Sequence, residues 1–185
     1  MIAAEPLRWL SLVPKKLRAT FDYAGAAPWY LSTSNGARVT EAGKRVLGGV
    51  ETLFHRVVLG AALLGLGLAP GPRRGVRAAA GALGAALLAY GVVTTSAAEA
   101  WVAHLALPVI VLLFGRAALR LPVLVLAAAS ALVATAVTHA VFFGAGRYGL
   151  VVFPLVTLCA GLCAAASSAR PPGALLTRSP GGRDT

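Results

Sequence analysis

The residues best suited to chemistry gather in one stretch, THAVFFGAGRY, which brings His139, Arg147 and Tyr148 to the boundary between two apolar runs. An arginine at such a boundary can grip a phosphate through charge-assisted, bidentate bonds, and a neighbouring tyrosine hydroxyl adds a donor. If the apolar runs cross a membrane alternately, Glu99 and His104 fall on the same side as this stretch. Arg147 and Tyr148 are therefore the candidates for holding a lipid phosphate, and His139, Glu99 and His104 are the supporting polar groups of that face. The competing reading needs no ligand: Arg147 snorkels to headgroups beside a tyrosine of the interfacial aromatic belt.

These residues do not complete a catalytic set. There is no carboxylate pair, no metal-ligand spacing, and no serine with a histidine and an acid at reach, so no catalytic residue, metal or cofactor is assigned. Glu99 suits a solvated loop acid. Gly144, Gly146 and Gly149 spell GxGxxG, but a dinucleotide site needs a strand before that motif, an amphipathic helix after it and an acid farther on. Both flanks here are apolar runs, and the glycines suit a tight turn. Cys159 and Cys163 share one face of a helix, where they read as small packing residues. A soft-metal site would need further ligands that the neighbouring sequence does not supply.

The elements that must position these groups follow from composition. The 185 residues are 58% hydrophobic and 12% charged, with a mean hydropathy of +0.78, outside the range of soluble domains. The chain holds one Asn, no Gln and 6 acids, too little polar surface to enclose a water-soluble core. The apolar runs cover residues 57–72, 78–98, 100–115, 121–146 and 148–169. They predict an all-α polytopic membrane protein of about five transmembrane helices. His55 and Arg56 are expected to snorkel and lengthen the first span. Gly81 with Ala85 offers a small-residue face for a close helix contact, and Pro108 is tolerated within the third span.

Residues 1–45 interleave Trp9, Trp29 and Tyr30 with Arg8, Lys15, Lys16 and Arg18. This predicts an interfacial amphipathic segment, with Leu7, Leu10, Leu12 and Leu17 in the acyl boundary and the cations at headgroups. The five-span bundle occupies 46–169, and residues 170–185, opened by Arg170, Pro171 and Pro172, form a disordered tail. The net charge of +11 is spread between apolar runs rather than along one helix face, which argues against nucleic acid and for membrane topology.

Alternation sends Arg73, Arg74, Arg77, Arg116, Arg120, Arg170, Arg178 and Arg183 to one side, and so places the C-terminus in the cytoplasm. The same alternation sends the basic residues 1–45 to the outer side, against the rule. A chain preceded by further spans would remove that conflict, so a longer protein is expected.

The stretch HAVFFGAGRYGLVVFPL resembles the late region of bacterial protein O-mannosyltransferase-like glycosyltransferases, a GT-C group that uses polyprenyl-phosphate sugars. Arg147 and Tyr148 match the RY of its pattern and Pro154 the second of its two prolines, while Val151 stands in place of the first. Upstream, PLRWLSLVPKKLRATFDYAGAAPWYL is similar to the segment following that family's middle spans. The resemblance covers roughly residues 6–169 and implies the C-terminal half of such an enzyme in a bacterial inner membrane. It further implies that Arg147 and Tyr148 neutralise the leaving phosphate, with the catalytic acid on an earlier loop beyond this sequence. Its expected partners are membrane lipids, a polyprenyl-phosphate sugar, and an N-terminal catalytic half or another membrane subunit. The alternative is a small non-enzymatic membrane scaffold or assembly partner.

Overall fold

The computed structural model describes residues 6–22, 26–94, 99–142 and 151–168, and all regular structure within them is helical. Two short helices, α1 (Pro6–Phe21) and α2 (Ala26–Ser34), precede α3 (Glu41–Leu68), α4 (Arg74–Val93), α5 (Ala100–Leu113), α6 (Val123–Val141) and α7 (Phe153–Ser168). A 3-10 segment, Gly115–Arg120, links α5 to α6.

Helix α3 starts well before the apolar run that marks it in the sequence. Thr40 is extended, and its hydroxyl accepts the Gly43 N–H at 3.1 Å. Glu41 then sits in the first turn, where the helix dipole favours an acid. From that cap the helix continues for 28 residues, about 42 Å. His55 consequently lies mid-helix and is buried, so it does not snorkel as the sequence suggests.

Three helices, α3, α4 and α6, are long and apolar enough to cross a membrane. Helices α5 and α7 are apolar but have 14 and 16 residues, about 21 and 24 Å. Each of α3 to α7 packs on its successor and α7 returns to α3, closing a ring around Leu59, Leu63, Leu107, Ile110, Leu132 and Val156. Pro108 is accommodated inside α5, where it is buried.

Small residues set how closely the helices approach. A Cβ on Gly81 would lie 2.5 Å from the Leu63 carbonyl oxygen, and one on Gly67 would lie 2.8 Å from that of Arg77. Gly60 faces Ala85 and Leu88 across the same seam. The Gly81/Ala85 face is thus filled by α3, within this chain. Gly65 similarly seats Cys163, whose Cβ a side chain at Gly65 would strike. The contacts 60 with 88 and 67 with 77 make α3 and α4 antiparallel, while 54 with 153 and 65 with 163 make α3 and α7 parallel.

Buried Arg77 ties α4 to the end of α3. Its guanidinium donates to the carbonyls of Leu66, Ala69 and Pro72 at 2.8, 2.8 and 2.9 Å and lies 3.7 Å over the Phe114 ring. A cation here answers the negative end of the α3 dipole without any carboxylate.

Candidate functional site

The other end of the bundle, crossed by α1, holds most of the buried polar chemistry. Leu17, Thr20 and Phe21 of α1 are buried there. Leu17 therefore packs on the bundle and not in the acyl boundary that the sequence pattern suggests, while Leu7, Leu10 and Leu12 are exposed. Lys16 does not reach for headgroups either. Its ammonium donates to the carbonyls of Ala140, Val141 and Phe142 at 3.2, 3.1 and 3.1 Å, closing the C-terminus of α6.

Next to it, Asp22 Oδ1 accepts the Trp101 backbone N–H at 2.7 Å and so caps the first turn of α5. Arg18 lies 3.6 Å from Asp22 Oδ2, and that oxygen is buried with no hydrogen bond. Burial pushes the Asp22 carboxyl up to about 6, an effect only partly offset by the Trp101 N–H and by the charges of Arg18 and Arg56. Glu99 precedes α5 with a left-handed backbone, φ 47°. Its carboxylate pairs with Arg18 and accepts the Trp101 indole N–H.

One turn farther into α5, buried His104 sets Nδ1 2.8 Å from the Ala100 carbonyl oxygen, so Nδ1–H is the donor. That assignment leaves the His104 Nε2 lone pair to accept from His55 Nε2–H, 2.7 Å away. Phe21 stacks on His104 with centroids 4.8 Å apart, and Phe153 stacks on His55 at 4.6 Å. Helices α1, α3, α5 and α7 thus meet at two imidazoles that share a single N–H···N bond.

The sequence candidates separate on this frame. Glu99 and His104 stand at the same end of α5, one in the ion pair with Arg18 and the other in the histidine pair. His139 is buried in the last turn of α6, the end that Lys16 closes. Arg147 and Tyr148 lie outside the described residues. Beside the cluster, a groove of about 320 Å³ is lined by Gly48, Gly49, Thr52, Leu53, Arg56 and Gly91. Compared with protein-family models, curated proteins and solved structures, the chain matches none.

The arrangement can position and bind, with His55 and His104 joined by one hydrogen bond. Asp22 is occupied in capping α5, Glu99 in Arg18 and Trp101, and among the described residues no three His, Cys, Asp or Glu converge on a metal position. Sequence reasoning missed Asp22 and the pairing of His55 with His104, and it read Lys16 and Arg18 only as headgroup cations. His55 stands 49 residues from its partner, and no local pattern links them.

Proposed function

We propose that this chain is a non-catalytic membrane module whose five apolar helices all cross the bilayer, with the α1-crossed end outward and the C-terminus in the cytoplasm. Its outer end forms one wall of a lipid-phosphate cavity in a polyprenyl-phosphate-sugar glycosyltransferase of the bacterial inner membrane, and the catalytic acid comes from another segment or subunit. The observation that carries this reading is the groove of about 320 Å³ beside Arg56. A cation beside an apolar-walled groove suits a phosphate with a prenyl tail, and Arg147 and Tyr148 are assigned the further phosphate contacts on the strength of the sequence resemblance.

The test is thermal stabilisation of the purified chain by a polyprenyl phosphate against the matching uncharged polyprenol. The phosphate should raise the unfolding midpoint more than the alcohol, and Arg147→Ala should remove the difference. Equal shifts from the two lipids would sink the phosphate role. A second reading, a scaffold that assembles a larger membrane complex, is favoured by the occupation of Asp22 and Glu99 in internal bonds. It predicts stable co-purification with a partner and no preference for either lipid.

A further inference from the structure

We infer that the end opposite the candidate site binds an anionic glycerophospholipid, with an acyl chain in the groove between α3, α6 and α7 and its phosphate on Arg116 and Arg120. The groove measures about 250 Å³ and is walled by Gly65, Leu68, Pro70, Leu121, Leu162 and Cys163. Every one of these walls is apolar or small, and the helices that form it are apolar, so the groove suits hydrocarbon better than water.

Its charged rim is built by the chain connections. Leu121 directly follows Arg120 at the end of the 3-10 segment, and Pro70 opens the turn leading to Arg73 and Arg74. The two connections lie against each other, because a Cβ on Gly71 would stand 3.2 Å from the Phe114 ring. Arg73, Arg74, Arg116 and Arg120 are all exposed. Among the described residues of this end, Arg77 is the one committed arginine, bound to the three carbonyls of the α3 terminus. The acids of the described residues, Asp22, Glu41, Glu51 and Glu99, belong to the N-terminal helices or the opposite end.

Four exposed arginines with no carboxylate at their end among the described residues, set around an apolar slot at a helix-end level, match a lipid with a negative headgroup. Basic pockets between membrane helices take such headgroups, and juxtamembrane arginines add to the attraction. A neutral or zwitterionic lipid would fill the slot but leave the rim charge uncompensated. This inference does not depend on the glycosyltransferase reading, which concerns the other end.

Phosphatidylglycerol and phosphatidylcholine retained by the full chain are compared by native mass spectrometry. Phosphatidylglycerol should be held preferentially. An arginine near an anionic lipid surface contributes about fivefold, so Arg116→Gln with Arg120→Gln should lower that preference about thirtyfold. Leu162→Trp, which fills the groove, should reduce retention of both lipids. Alkylation of the Cys163 thiol in unaltered chain, in discs of phosphatidylcholine with and without phosphatidylglycerol, reads the groove without any variant, and phosphatidylglycerol should slow it. The proposal is overturned by equal retention of the two lipids, by a preference that survives the double substitution, or by alkylation indifferent to phosphatidylglycerol. A polyprenyl phosphate that outcompetes phosphatidylglycerol, or a second copy of the chain that seals the groove, would likewise overturn it.

Discussion

At the end crossed by α1, Lys16 is bound to three carbonyls at the α6 terminus and Arg18 to Glu99, whereas among the described residues of the far end four arginines stand exposed and Arg77 alone is engaged. These two cations are engaged within the protein, where Lys16 closes the α6 terminus and Arg18 ties α1 to the start of α5, while Lys15 beside them is exposed. Those of the far end face outward. This difference bears on the charge conflict in the sequence, where a basic N-terminal stretch shares a side with Glu99. The rule counts lysines and arginines and gives acids little weight, so these bonds leave the conflict in place and show only that Lys16 and Arg18 already have partners within the fold.

The comparison breaks most visibly at Arg77, the one internal cation of the far end. Arg77→Ala removes three bonds to carbonyls and the Phe114 contact, and it leaves a void at a fully buried site. The expected loss is about 4 kcal/mol, from hydrogen bonds to a charged group plus the cavity. Thermal unfolding in detergent should show it as a large drop in midpoint. Arg74→Ala, at an exposed neighbour, should change the midpoint little. Similar drops for both would mean that the far end too spends its charge internally.

Asp22 provides a pH readout of the α1-crossed end. Its carboxyl titrates near 6 in the fold, against an ordinary value of 3.8, because burial disfavours the anion. A raised acid binds its proton more tightly when folded, so the stability it confers is complete below about pH 4 and is lost as pH rises through about 6. The whole step amounts to at most about 3 kcal/mol. Unfolding midpoints measured between pH 4.5 and 7.5 should fall with pH in the native chain, relative to Asp22→Asn. A variant with an unchanged slope would show that Asp22 is not desolvated by α1.

What could be seen in the sequence depended on whether it was local. Apolar runs gave the helices away because lipid-facing surface must be apolar over a whole span, and α3, α4 and α6 meet that length requirement. Helix α5 ends at Leu113, short of its apolar run, where the chain passes through Phe114 into the 3-10 turn. The early start of α3 was encoded by Thr40 and Glu41, a capping signal outside the apolar run and so outside a hydropathy reading. Glu99 and His104 could be placed near one end by alternation alone. Their partners could not, since Arg18 and His55 come from helices distant in sequence. Nothing in a local pattern announces that two histidines 49 residues apart will hydrogen-bond to each other.

That histidine contact sets the next largest effect. His104→Leu preserves the apolar body and the helix but leaves His55 Nε2–H buried without its acceptor, a loss of about 2 kcal/mol. His55→Leu should cost a similar amount, while the double replacement should cost less than the sum, because both ends of the bond are then gone. Additive losses would mean that the two rings are merely neighbours and that α1, α3, α5 and α7 are held together by the phenylalanines around them.

The smallest effect discriminates most sharply between the two ends. Lys16→Met keeps the aliphatic stem against the bundle and deletes only the ammonium that closes the α6 carbonyls. A cation at a helix C-terminus is worth about 1 kcal/mol, so the midpoint should fall slightly and salt should narrow the gap from the native chain. Lys15→Met removes the same charge from an exposed neighbour and should leave the midpoint unchanged. A lipid bilayer adds a further distinction. If Lys16 is committed to the protein, its loss should leave attraction to anionic vesicles almost intact, whereas loss of Arg116 or Arg120 should weaken it. The reverse pattern, with Lys16 governing vesicle binding and the arginines indifferent, would mean that charge at the α1-crossed end faces lipid headgroups after all.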